Sequence, residues 1–316
     1  MRAMAIDEYG GPEVLHLAEL PEPKIGPDVV RIRVHAAGVN PVDTTMRAGG
    51  LDAAFPVIFP IVPGWDVAGT VERVGPAVTT VAPGDPVFAY ARKHFVGEGT
   101  YAELVTVPES SVAHAPASID LEQAAAVPLA GLTAYQALTH GLALAEGDTL
   151  LIVGAAGGVG TFAVQIAKAR GARVIGTATA PKHDYLRGLG ADAAIDYSSA
   201  DVAAAARELA PPGVAALLDV VGGEALEAAL GAVRDGGRVC SIKQPLTDER
   251  FSARGIRPRY VFVRPSAEQL EELARMVDGG LLGVHIEQVF GLEQAAEAHE
   301  RSESGRVTGK LVLRVA

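Results

Sequence analysis

The chain has 316 residues, 49% of them hydrophobic and 21% charged, with a net charge of −11 and one cysteine. That length allows more than one core, and the acidic charge with scattered Lys and Arg argues against nucleic acid, whose phosphates call for a basic surface. Cys240 alone can form no internal disulfide, and structural zinc, which takes several closely spaced Cys or His ligands, lacks its donors.

The N-terminus opens into an alternating segment, Met1 to Ile6, without a basic start and apolar signal core. No uncharged run reaches the ~18 apolar residues of a membrane span, so a cytoplasmic location with no membrane partner is expected. Residues 1–110 read as short strands broken by Gly and Pro. Residues 31–35 alternate, 67–74 are strand-like, and the turn Pro83-Gly84-Asp85 leads into Val87-Phe88-Ala89. This is the pattern of a β-rich, partly barrel-shaped unit. In it, Arg92-Lys93-His94 reads either as a solvated rim or as a receiver of an anionic substrate.

The character changes near Asp120. Residues 121–127 and 133–140 read as helices. Strand–helix units follow, with strands at 149–153, 173–177, 193–196, 215–221 and 238–242 and a sixth at 259–263. Their apolar runs suit a parallel sheet covered on both faces. Residues 268–278 form a periodic helix ending at Gly279-Gly280, and Lys310–Arg314 a last strand. The expected fold class is α/β: a doubly wound parallel Rossmann sheet over residues 123–264, inserted into a β-rich domain made of residues 1–122 and 265–316.

The segment from Leu150 to Gly160 runs from a buried strand through a glycine-rich turn into a helix at 161–170. Gly154, Ala156, Gly157, Gly158, Val159 and Gly160 are therefore candidates to receive a dinucleotide pyrophosphate on free N–H groups. The strict fingerprint has Gly at 155, where this chain has Ala. An acid roughly 20 positions on would bind the ribose 2′-hydroxyl of NADH. Here the second strand ends in Thr177-Ala178-Thr179-Ala180, followed by Lys182. The missing acid and the nearby cation favour NADPH, with Thr177, Thr179 and Lys182 beside it.

Six segments resemble the zinc-free quinone oxidoreductase family of the medium-chain dehydrogenase/reductase superfamily. They are Ala36 to Asp43, Val62 to Gly69, Pro128 to Tyr135, Gly154 to Gly160, Asp219 to Gly223 and Gly309 to Leu313, in the family's order. The resemblance implies that the β-rich domain is GroES-like and that the active site lies in the cleft between domains. It implies homodimers, commonly joined through the edge strand, here 259–263. It also implies that Asn40 and Asp43 line the substrate side of the nicotinamide, with Thr133 under the cofactor. Tyr197 would lie near the 2′-phosphate, Gly222 by the cofactor, and Val263 against the carboxamide through its backbone. Lys310 would reach cofactor or cleft. Metal-dependent relatives have a zinc-binding Cys within the segment here written Asn40-Pro41-Val42-Asp43, and Gly-His-Glu where this chain has Gly64-Trp65-Asp66. Thr45 stands where several members have Tyr, and it joins Asn40 and Asp43 as a catalytic candidate.

The expected activity is NADPH-dependent, zinc-independent hydride transfer to quinones or α,β-unsaturated carbonyls. A natural-product tailoring enoyl reductase and an NADPH-binding regulatory protein are the alternatives. Simpler roles stand beside the chemical ones: Asn40 is a good turn residue before proline, and Asp43 a good cap. No residue presents itself as the obligatory proton donor.

Overall fold

The computed structural model describes residues 1–247 and 249–316. The chain divides into two compact units: residues 1–132, 265–280 and 284–316 form one, residues 133–264 and 281–283 the other.

The first unit opens with antiparallel strands β1 (Arg2–Ala5) and β2 (His16–Glu19). The long strand β3 (Val29–Val39) leads into a short helix α1 (Pro41–Arg47), then β4 (Asp66–Val74), β5 (Pro86–Tyr90), β6 (Leu104–Pro108), β7 (Val112–His114) and helix α2 (Leu121–Ala125). The alternation in β3 places Val30, Ile32 and Val34 inside, against Val67 and Val71 of β4 and Val105 and Val107 of β6. Helix α2 starts where the Asp120 carboxylate accepts the Gln123 N–H at 2.8 Å, an ordinary N-cap.

The predicted helix at 133–140 starts earlier, as α3 (Pro128–Gln136), and passes into a π-helical turn at Ala137–Gly141. Proline suits a first helical turn, where its missing N–H has no partner to lose. The second unit continues β8 (Thr149–Val153), α4 (Gly158–Ala169), β9 (Arg173–Thr177), α5 (His183–Gly188), β10 (Ala193–Ile195), α6 (Val202–Leu209), β11 (Val214–Asp219), α7 (Gly223–Leu230), β12 (Val233–Ser241), α8 (Glu249–Ala253) and β13 (Arg257–Tyr260). All six strands are parallel, in the order β10-β9-β8-β11-β12-β13. This is the Rossmann order, reversing between β8 and β11, and ligands of such sheets bind at that switch. The last strand ends at Tyr260 rather than continuing to 263; it tolerates Pro258 because it lies at the sheet edge.

The chain then completes the first unit with α9 (Ala267–Asp278), β14 (Ile286–Gly291), α10 (Ala295–Glu303) and β15 (Lys310–Arg314). Strand β15 pairs antiparallel with β3, Leu311 facing Val39, and parallel with β14. The C-terminus thus enters the same sheet as β3, in the order β14-β15-β3-β4-β5-β7.

Leu217 of β11 is fully buried among Leu151, Ile175 and Val239. Leu217→Ala is expected to cost about 2–5 kcal/mol, read as a lower denaturant midpoint; an unchanged midpoint would contradict this account of the core.

Candidate active site

In the second unit the glycine turn joins β8 to α4. Gly154 sits at φ +83°, the left-handed region that a side chain resists. A Cβ on Gly160 would lie 2.4 Å from the Gly154 carbonyl oxygen, so the helix rests directly on the turn. Helix α4 begins at Gly158, earlier than the predicted 161. Gly158, Val159 and Gly160 therefore belong to the first helical turn, whose N–H groups have no intrahelical acceptor. The N-cap Gly157 offers no side chain, the first turn holds no acid, and residues 157–159 are partly open to solvent. These features make an anion cradle that fits a pyrophosphate.

Ala155 and Ala156 are buried. The departure at 155 has a local compensation: a Cβ on Gly176 of β9 would come within 2.8 Å of the Ala155 methyl, so the missing side chain in β9 makes room for the extra one in the turn. Thr177 is buried and braces the same turn, its Oγ1 accepting the Gly154 N–H at 3.0 Å and its carbonyl the Ala155 N–H at 3.1 Å. Thr179 occupies the position before the short turn Ala180–Lys182, and Lys182 is half-buried. Tyr197 is exposed beyond the end of β10. Between them lies Asp196, an acid the sequence reading passed over. Its carboxylate accepts Ser198 Oγ–H and Ser198 N–H of its own loop and Ala180 N–H of the turn after β9, and the Ser198 bonds foremost hold it below the usual range.

Gly222, at φ +83°, donates its N–H to Asp219 Oδ1 at 2.7 Å. Buried Asp219 also takes the Val221 N–H and the Ser241 hydroxyl, tying the ends of β11 and β12 together. Val263 is buried just past β13, and its neighbour Arg264 is locked to α3 by reciprocal bonds with the Gln136 amide, at 2.8 and 3.0 Å.

In the first unit, Asn40, Asp43 and Lys310 meet. Asn40 is the N-cap of α1, and Asp43 Oδ2 accepts its N–H at 2.8 Å. The capping role and a role in a larger network coexist. Asn40 Nδ2 donates to Asp66 Oδ2 at 2.8 Å, and the Leu129 N–H donates to Asp66 Oδ1 at 2.6 Å. Lys310 Nζ donates to Asn40 Oδ1 and to the Val39 carbonyl and lies 3.8 Å from Asp66 Oδ2. Asp43, Asp66, Asn40 and Lys310 are each at most 4% exposed. Burial raises Asp43 to about 7 and, against the opposing charge of Lys310, Asp66 to about 6; burial also pulls the Lys310 amine down. Thr45 does not join them: it is exposed and donates its hydroxyl back to the Pro41 carbonyl. Thr133 is buried in α3.

Behind Asp43 stand three residues that the sequence reading did not single out. Tyr101 Oη donates to Asp43 Oδ2 at 3.2 Å, His299 Nε2 lies 3.2 Å from Tyr101 Oη, and Arg47 Nη1 lies 3.1 Å from His299 Nδ1. Arg47 also pairs with Glu303. No spacing rule could have joined residues so far apart in the chain. Among the described residues, no group of three His, Cys, Asp or Glu side chains stands where it could hold a metal, and no helix is long and apolar enough to cross a membrane.

A Rossmann-ordered sheet with a glycine cradle at its switch point, and a second β-rich unit with a buried polar network, define a dinucleotide-dependent oxidoreductase architecture. Comparison with known proteins agrees. An alcohol dehydrogenase GroES-like domain model matches residues 26–117, and a zinc-binding dehydrogenase model matches residues 189–313. The chain is 37% identical to a quinone oxidoreductase of Pseudomonas aeruginosa, over 96% of this chain and 97% of that protein. It is 34% identical to the chloroplastic NADPH-dependent alkenal/one oxidoreductase of Arabidopsis thaliana, over 99% of this chain and 79% of that protein. The solved structure of Escherichia coli quinone oxidoreductase complexed with NADPH superposes with a TM-score of 0.89 at 28% identity, over the whole of both chains. The chain belongs to the medium-chain dehydrogenase/reductase superfamily, in its quinone oxidoreductase-like branch.

Because Asp43 and Asp66 bind protons more tightly folded than unfolded, their contribution to stability is full below the ordinary carboxylate value and is lost as pH rises through about 6 to 7. Asp43→Asn, with no proton to lose, is expected to flatten that decline. Denaturant midpoints across the same window check it, and a parallel decline in both proteins would contradict the assignment.

Proposed function

We propose that this protein is an NADPH-dependent reductase of quinones or α,β-unsaturated carbonyl compounds that works without zinc. The observation that carries the reading is the cradle at the N-terminus of α4 together with a β9 that ends at Thr177 and is followed by Ala178-Thr179 instead of an acid. The names of the relatives support the same chemistry. The N–H groups of Gly158, Val159 and Gly160 would hold the pyrophosphate, and Lys182, Thr179 and Tyr197 stand at the strand ends where a 2′-phosphate would need a cation and donors. Gly222 and the Val263 backbone would complete the cofactor's bed, with Thr133 beside it. When bound, NADPH supplies the hydride. Asn40, oriented by Asp66 and Lys310, is the candidate to steady the substrate's developing oxyanion.

The donor chemistry supports the zinc-free reading. Asn40 and Asp66 stand within the segments where metal-dependent relatives carry ligands, but here both face the Lys310 ammonium. A zinc ion there would meet a buried cation and would have no thiolate or imidazole to bind it. The proposed location is the cytoplasm and the proposed assembly a homodimer. The edge position of β13, with Tyr260 and Phe262 exposed, supports the latter.

The test is NADPH oxidation by chelator-treated protein with a small enone and a benzoquinone in parallel. Saturable turnover with either, unaffected by added zinc, is the expected result. Activity that returns only with zinc, or NADPH binding without turnover, would overturn it. Lys182→Ala is expected to weaken NADPH binding by roughly tenfold, the worth of one charge-assisted hydrogen bond, while leaving NADH binding unchanged.

A further inference from the structure

The hydrogen-bonded chain behind Asp43 can run in only one direction. Arginine has no acceptor, so Arg47 donates to His299 Nδ1. The ring's own hydrogen must then sit on Nε2, from which it is donated to Tyr101 Oη. The Tyr101 hydroxyl is left to donate to Asp43 Oδ2. Burial, with the charge of Arg47, holds His299 at about 3, so the ring stays neutral. All four residues are at most 2% exposed. At the end of the chain, Asp43 Oδ2 accepts a second hydrogen from the Asn40 N–H, while the buried Oδ1 has no hydrogen-bond partner.

Such a carboxyl group is balanced between two states. Donated hydrogens favour the anion, whereas dry surroundings and a neighbouring carboxylate favour the acid, whose proton would sit on the bare Oδ1. The groups facing Asp43 are Asp66 on β4, Lys310 on β15 and Tyr90 on β5, besides Asn40 and Tyr101. Asp66 has three donors around it, Leu129 N–H, Asn40 Nδ2 and Lys310 Nζ, so it keeps its charge more readily than Asp43 does.

We propose that Arg47, His299 and Tyr101 are positioning residues that govern the charge state of Asp43 through this one-way chain of donated hydrogen bonds. Asp43 takes up and releases its proton on Oδ1, and the chain sets the balance by feeding Oδ2. The charge is felt at Asn40, whose N–H is bonded to the same carboxylate. Only the kinetic consequence rests on the reductase reading; the titration itself does not.

An infrared titration of the whole protein tests this, with Asp43→Asn identifying the carboxyl band. In the wild type, a protonated carboxyl band absent from Asp43→Asn should fade as pH rises through neutrality. Tyr101→Phe, lacking the last donor, should move that midpoint up by about one pH unit. His299→Ala should move it the same way by less, and His299→Gln, whose amide has an acceptor and a donor end, should restore it. If turnover is present, the pH profile of kcat should shift with the band. A folded Tyr101→Phe with an unmoved midpoint overturns the proposal, as does a wild type with no band that Asp43→Asn removes. If Tyr101→Phe fails to fold, an unmoved midpoint in His299→Ala overturns it instead. The titration is read without substrate, so absence of turnover would count against the reductase reading and not against this one.

Discussion

The buried ammonium of Lys310 is the constraint on which the first unit depends. An ammonium 4% exposed is tolerable only where charge and acceptors surround it, and here they come from two strands and a helix cap. The Val39 carbonyl closes β3, the Asn40 amide opens α1, and Asp66 begins β4. Because Lys310 itself begins β15, satisfying it brings the C-terminal strand into register beside the end of β3, where Leu311 faces Val39. The same contacts hold Asn40 at the point where the chain turns from strand to helix.

In the second unit, small side chains and one acid set the geometry of the cradle. The turn after β8 needs a left-handed Gly154, a helix close enough to exclude a side chain at Gly160, and Thr177 to hold its N–H. The methyl of Ala155 is accepted because β9 has Gly176 opposite it. Asp219 does for the turn after β11 what Thr177 does for the turn after β8, binding backbone N–H groups and tying in Ser241. The cradle is thereby shaped before any anion arrives, which limits the reorganisation that binding would require.

What could be read in the sequence was what depends on neighbours in the chain. The strands Thr149–Val153, Arg173–Thr177 and Lys310–Arg314 were legible as apolar runs with clear ends, and the glycine cradle as a motif in its strand–helix context. The starts of α3 and α4 were displaced because proline and glycine, usually breakers, here occupy first helical turns. Strand β13 ended short of its expected limit, and β2 and β14 went unread, each lacking a strong period, whereas β1 lies within the alternating segment Met1 to Ile6. The candidate site was half legible. Asn40, Asp43 and Lys310 were named singly, but Asp66, Tyr101, His299 and Arg47 enter only through contacts between distant segments. Thr45, next in line on α1, turned out to face solvent.

The central claim is that Lys310 and Asp66 are coupled within the fold and that this coupling holds the end of β3. A double-mutant cycle with Lys310→Met and Asp66→Asn measures it directly. Each single change should leave a buried group without its partner, and the double variant should recover part of the loss. A non-additivity of about 1–3 kcal/mol is expected. Strict additivity would mean that the two groups do not stabilise one another and would contradict the account.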